Sequence, residues 1–98
     1  MNDKTISIKI KKHIYETTIC ELTMYNLGIN SSFEFQGLVY NITSISDQEV
    51  TISLDNNADY YVYNKYTELA KDISVTKENS IKICNIVKPT TFFEISIL

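Results

Sequence analysis

Apolar and polar positions alternate along residues 33–54, FEFQGLVYNITSISDQEVTISL, in three short segments broken at Gln36-Gly37 and at Asp47-Gln48. A strand turns successive side chains to opposite faces, so this pattern predicts a β-meander with one buried face and one wet face. Its strands fall near residues 33–35, 38–46 and 49–54. Tyr40 and Ile42 share a face, but Ile45 changes parity, which marks a bulge or a bend. The same alternation returns at residues 5–11, where Ile6, Ile8 and Ile10 lie on one side, and at residues 60–64 and 80–86. A last strand carries Phe93, Ile95 and Ile97 on one face and Glu94 and Ser96 on the other.

Two stretches suggest a different period. Thr18-Ile19-Cys20-Glu21 has the form of a capping box, Ile19, Leu22 and Leu27 can make an apolar stripe, and Gly28 suits a helix end. A short helix is therefore predicted over residues 18–28. Asn64 can cap a second one, because Tyr66, Leu69, Ala70 and Ile73 recur at helical spacing. The expected architecture is mainly β with one or two short helices, in a single domain over residues 1–98. This element order resembles that of the small SH3-like or Sm-like barrels, whose bent sheet the parity change at Ile45 would supply. An OB-like barrel and a β-sandwich are the alternatives the same pattern allows.

Composition narrows the class. A chain of 98 residues with 44% hydrophobic and 21% charged residues has room for one modest core and is not a disordered tail. No apolar run approaches the roughly 20 residues that span a bilayer, and the N-terminal segment has no uninterrupted apolar stretch of the secretory kind. A cytoplasmic protein is expected, in the host cell if the chain is viral. The net charge of -3, with every one of the 9 basic residues a lysine, argues against broad phosphate binding and against bidentate reading of guanine by arginine. The missing arginine and the abundance of Ile, Asn, Lys and Tyr are what an AT-rich genome would produce, such as a low-GC bacterium or its virus or plasmid.

Candidate chemistry is sparse. The single histidine, His13, reads as an exposed strand-edge residue with no evident catalytic partner. Cys20 and Cys84 lie far apart in apolar surroundings and read as buried free thiols, although a cysteine in the first turn of a helix would be reactive. Asp55, Asn57 and Asp59 have the spacing that opens a calcium loop, yet position six is Tyr60 and position twelve is Tyr66, so a polar turn explains them better. The glutamates are scattered, and the chain contains no phosphate-binding loop. No cofactor and no enzymatic activity are expected.

The tyrosines stand out. Tyr60, Tyr61, Tyr63 and Tyr66 crowd into seven residues, with Tyr40 predicted across the sheet and Asn64 and Lys65 beside them. Tyrosine combines a large apolar surface with a hydroxyl, which suits partner contact or stacking, but it also stabilises sheets simply by packing. Tyr40, Tyr60, Tyr61, Tyr63, Asn64 and Lys65 are the candidate binding residues. The C-terminal segment FFEISIL could pair with a second copy of the chain, making a homo-oligomer through edge strands. The leading expectation is a non-enzymatic binding module, an accessory protein of a phage or mobile element that inhibits a host protein or sequesters a small nucleotide-like ligand. A structural or assembly subunit is the first alternative, and a small barrel for single-stranded nucleic acid is the second.

Overall fold

The computed structural model describes residues 4–63 and 69–98. Among them are nine strands and no helix: β1 (Ile6–Ile14), β2 (Thr17–Leu27), β3 (Ser32–Phe35), β4 (Leu38–Ile45), β5 (Glu49–Asp55), β6 (Tyr60–Val62), β7 (Asp72–Thr76), β8 (Ile81–Asn85) and β9 (Thr91–Ile97). They form two antiparallel sheets, one in the order β2-β1-β9-β8-β6 and the other β3-β4-β5-β7. No pairing joins the sheets among the described residues, so they do not close into a barrel. The arrangement is consistent with a β-sandwich.

The predicted meander is present nearly strand for strand. Its first turn is set by chemistry: Gln36 and Gly37 both have positive φ (54° and 85°) and form a two-residue loop between the paired residues Phe35 and Leu38. Paired positive φ values match the twist of a hairpin, and glycine adopts them without a Cβ penalty. The parity change at Ile45 is also real. The register of β4 against β5 shifts between Ile42 and Ser44, leaving Thr43 as an extra residue whose hydroxyl donates to the Thr51 carbonyl at 3.2 Å. The bulge adds local twist, but it does not carry the sheet round into closure.

The expected helix over residues 18–28 is instead β2. Thr17, Thr18, Ile19 and Thr23 are β-branched and stiff in a helix, and the preceding turn at Tyr15-Glu16 returns the chain directly alongside β1, with Ile14 paired to Thr17. The Thr18–Glu21 capping box therefore does not form. Gly28 lies beyond the strand in a turn, where its N–H donates to Ser31 Oγ at 3.0 Å. The second helix falls partly outside the described residues, since Asn64 and Tyr66 do. The rest of its stripe is extended: Leu69 makes an isolated bridge to Tyr61, and Ile73 belongs to β7. The period-2 pair Ile73 and Val75 was the signal for that strand.

The core lies between the sheets. Ile8, Ile10, Ile83, Phe93 and Ile95 from one sheet face Tyr40, Ile42, Val50, Ile52, Ile73 and Val75 from the other, all at 2% exposure or less. Each such aliphatic side chain contributes about 1.5–3 kcal/mol relative to exposure, which explains why alternation dominates the chain. The strand β9 lies inside its sheet, paired to β1 on one side and β8 on the other. The C-terminal strand is thus not an open edge, and the expectation that it would pair with a second copy is corrected.

Candidate functional site

Alternation in β6 separates the tyrosines. Tyr60 points inward and packs on Phe93, with ring centroids 5.0 Å apart. Tyr61 points to the outer face of the five-stranded sheet, directly opposite Cys84, which in turn is opposite Phe92, which is opposite His13. Tyr63 follows β6 and is 51% exposed. Tyr40 is fully buried in β4, stacked on Phe33 with centroids 5.2 Å apart. It belongs to the core and offers no surface to a partner. Asn64 and Lys65 lie outside the described residues. The structure thus divides the candidate tyrosines between the core, the sandwich interior and the outer face rather than gathering them in one patch.

The turn that precedes β6 is held by one side chain. Asn57 Nδ2 donates to the carbonyls of Tyr60 (2.9 Å) and Ala70 (2.6 Å), while its Oδ1 accepts the Tyr60 N–H at 2.8 Å. The amide is spent on backbone, in keeping with a polar turn. Among the described residues, no group of three His, Cys, Asp or Glu side chains is placed to hold a metal ion.

His13 differs most from expectation. Its strand β1 is interior to the sheet, so the side chain is largely covered rather than exposed at an edge. The imidazole stacks on Phe92 at 4.6 Å between centroids, its Nδ1 lies 3.1 Å from Thr18 Oγ1, and its Nε2 lies 3.4 Å from Glu94 Oε1. Glu94 also accepts from Ser80 Oγ at 3.0 Å, and Lys82 Nζ sits 5.4 Å from the Phe92 ring centre. Sequence reading missed the partners of His13 because they come from two other strands, β2 and β9. Among the described residues His13 Nε2 is buried without a hydrogen-bond partner, so hydroxyl, imidazole and carboxylate are not joined in a line; Thr18 also stands at the sheet edge on an open face, whereas a nucleophile needs a cleft that positions substrate against it.

Both cysteines are free and half-exposed, not buried. Cys20 is in a strand, so the helix-terminus argument for its reactivity falls away. Desolvation raises the pKa of the Cys84 thiol, with Lys82 opposing it more weakly.

A cavity of about 560 Å³ opens at the end of the sandwich, lined among others by Lys12, Ile14, Tyr60, Asn85, Lys88 and Thr91. Its volume is that of a small-molecule site. The pairing of residues explains it: Lys12, Asn85 and Thr91 continue the inward-facing rows of β1, β8 and β9 toward the sandwich end. Lys12 Nζ reaches Gln36 Oε1, in the β3–β4 turn, at 3.4 Å. Of the lining residues Ile14 is 38% and Val87 70% exposed, and their chain neighbours Tyr15 (71%) and Ile86 (48%) are exposed as well. The Tyr15 N–H donates to the Thr90 carbonyl at 2.7 Å, tying the β1–β2 turn to the loop before β9. Among the described candidate residues only Tyr60 contributes to this site. The signal for the others was present in the sequence as apolar residues breaking into turns, at Ile14-Tyr15 and Ile86-Val87. No protein-family model, no curated protein and no solved structure matches this chain.

Proposed function

We propose that this chain is a non-enzymatic binding module that acts by occupying a partner protein, through the end of the sandwich formed by the β1–β2 turn and the β8–β9 loop. The observation that carries the reading is a pair of strongly exposed apolar side chains at this end, Val87 in the cavity lining and Tyr15, whose backbone is bound to the lining residue Thr90. Exposed apolar residues cost solubility unless a contact uses them, and loops at one end of a sandwich are where a rigid scaffold presents recognition residues. Lys12 and Lys88 outnumber Asp59 in the cavity lining, a balance that suits an acidic side chain on the partner. The outer-face tyrosines Tyr61 and Tyr63, with Lys82 and Phe92, form a second contact region of the same kind. A phage or mobile-element inhibitor of a host protein is the biological setting that the composition supports.

Sequestration of a small nucleotide-like ligand is the second reading, supported by the cavity volume and by Tyr60, Lys12 and Lys88 in its lining. Native mass spectrometry of protein purified from its host without refolding separates the two. A stoichiometric co-purified protein, lost on Tyr15→Ser with Val87→Ser but retained by a folded variant elsewhere, supports partner occupation. A small added mass, lost on Lys12→Ala with Lys88→Ala, supports the ligand. A bare chain under these conditions, with no partner recovered after cross-linking in cells, counts against both.

A further inference from the structure

We infer that β2 is a self-association edge, through which two copies of this chain pair antiparallel about a two-fold axis at Leu22 and merge their five-stranded sheets. This goes beyond the proposed function and does not depend on it. The two sheets end in β2, β6, β3 and β7. Three of these edges are short, at three to five residues, and β6 also has the Leu69 bridge at Tyr61. The fourth, β2, is 11 residues long and carries neither lysine nor proline, two guards of an open edge; Glu21 is its single charge, and a third kind of guard, the β-bulge, occurs only on either side of its middle residues 20–24.

The local geometry of β2 is symmetric about Leu22. Its register against β1 shifts twice, once past Ile19 and once past Tyr25 and Asn26, so residues 20–24 form a regular window between two bulges. Antiparallel pairing centred on Leu22 sets Leu22 against its own copy, Cys20 against Met24, and Glu21 against Thr23. The half-buried Cys20, Leu22 and Met24 share the inward face with Ile10, so an apolar row continues across the seam. Glu21 meets a threonine rather than a second glutamate, which avoids like-charge juxtaposition. At the bulges, Ile19 (48% exposed) comes opposite Tyr25 (68% exposed) of the other copy, giving both an apolar partner. An off-centre register would bring one or more of these residues against polar ones. Strand addition needs only backbone groups and matching faces, and a two-fold pairing closes after one addition.

Sedimentation velocity of the full chain across concentration tests this. A monomer–dimer equilibrium is expected, and Ile19→Lys combined with Tyr25→Lys should raise the dimer Kd about a hundredfold by setting lysine against lysine twice. Tyr25→Lys alone should raise it about tenfold, and it serves where the double variant loses its native circular dichroism. Val87→Lys, in the β8–β9 loop rather than on β2, should leave the dimer unchanged. A chain that stays monomeric up to about 500 µM overturns the inference, as does a dimer indifferent to Tyr25→Lys or abolished by Val87→Lys. An open polymer overturns it too, because the proposed pairing closes.

Discussion

Tyr40→Phe should stabilise this protein, although it removes a polar group from a tyrosine that looked like a binding residue. The side chain is fully buried, its ring stacks on Phe33, and its hydroxyl has no hydrogen-bond partner among the described residues. An unsatisfied buried hydroxyl costs about 1–3 kcal/mol, whereas phenylalanine keeps the ring contacts and loses only one small atom's packing. A net gain of about 1 kcal/mol is expected near neutral pH. Alkaline pH should enlarge it. Burial, and secondarily Tyr60, hold the Tyr40 pKa well above its ordinary value of 10.0. The folded state then keeps a proton that the unfolded chain releases, so the stability associated with this group is intact below about pH 10 and is lost as pH rises beyond it. By about pH 11 the unfolded tyrosine has gained roughly 1.4 kcal/mol from ionising, and the difference between Tyr40→Phe and the natural chain should exceed about 2 kcal/mol. Urea unfolding at neutral pH and near pH 11 measures both quantities. A destabilisation of more than about 1 kcal/mol at neutral pH would show that the hydroxyl is satisfied, and a difference that does not grow with pH would refute the linkage argument.

Four other outcomes check separate parts of the structure. Asn57→Ala removes three hydrogen bonds from the turn that seats β6, two of them to carbonyls, and should cost about 2 kcal/mol in denaturant unfolding. Phe93→Ala opens the middle of the core and should cost about 3–5 kcal/mol, enough to abolish a cooperative transition at moderate temperature. Gly37→Ala meets open space but must hold φ at 85°, so it should cost about 1 kcal/mol, all of it backbone. Cys84 should alkylate more slowly with iodoacetamide at neutral pH than an unstructured thiol, because desolvation holds its pKa up; equal rates would place it in solvent.

The parts of the fold that were legible in the sequence are those governed by side-chain periodicity and by local turn chemistry. Alternation located β1, β3, β4, β5, β6, β8 and β9, because burying one face of a strand imposes a period of two. The Gln36-Gly37 hairpin and the Thr43 bulge were equally legible, the first from residues that accept positive φ and the second from a change of parity. The segment 18–28 was misread because its apolar residues fit a helical stripe as well as an edge strand. Its strand form depends on β1 lying beside it, which is a contact with another segment.

The candidate site was less legible for the same reason. Sequence places Tyr40 and Tyr60 to Tyr63 near one another, but whether each meets core, cavity or solvent depends on which sheet faces which. Tyr40 lies on the inward face of β4 and is sealed by the opposing sheet, while Tyr61 shares an outer row with His13 and Phe92 across strands far apart in the chain. The partners of His13 came from β2 and β9. The sequence alone determined that this is a small, mainly β chain, where most of its strands run, and which residues alternate inward. Tertiary structure decided that two open sheets stack rather than one closing on itself, that β9 is interior and β2 an edge, and that apolar turns gather at one end. The physical reason is that alternation is a property of each strand by itself, whereas sheet order and edge exposure arise from pairings between segments, which no single segment encodes.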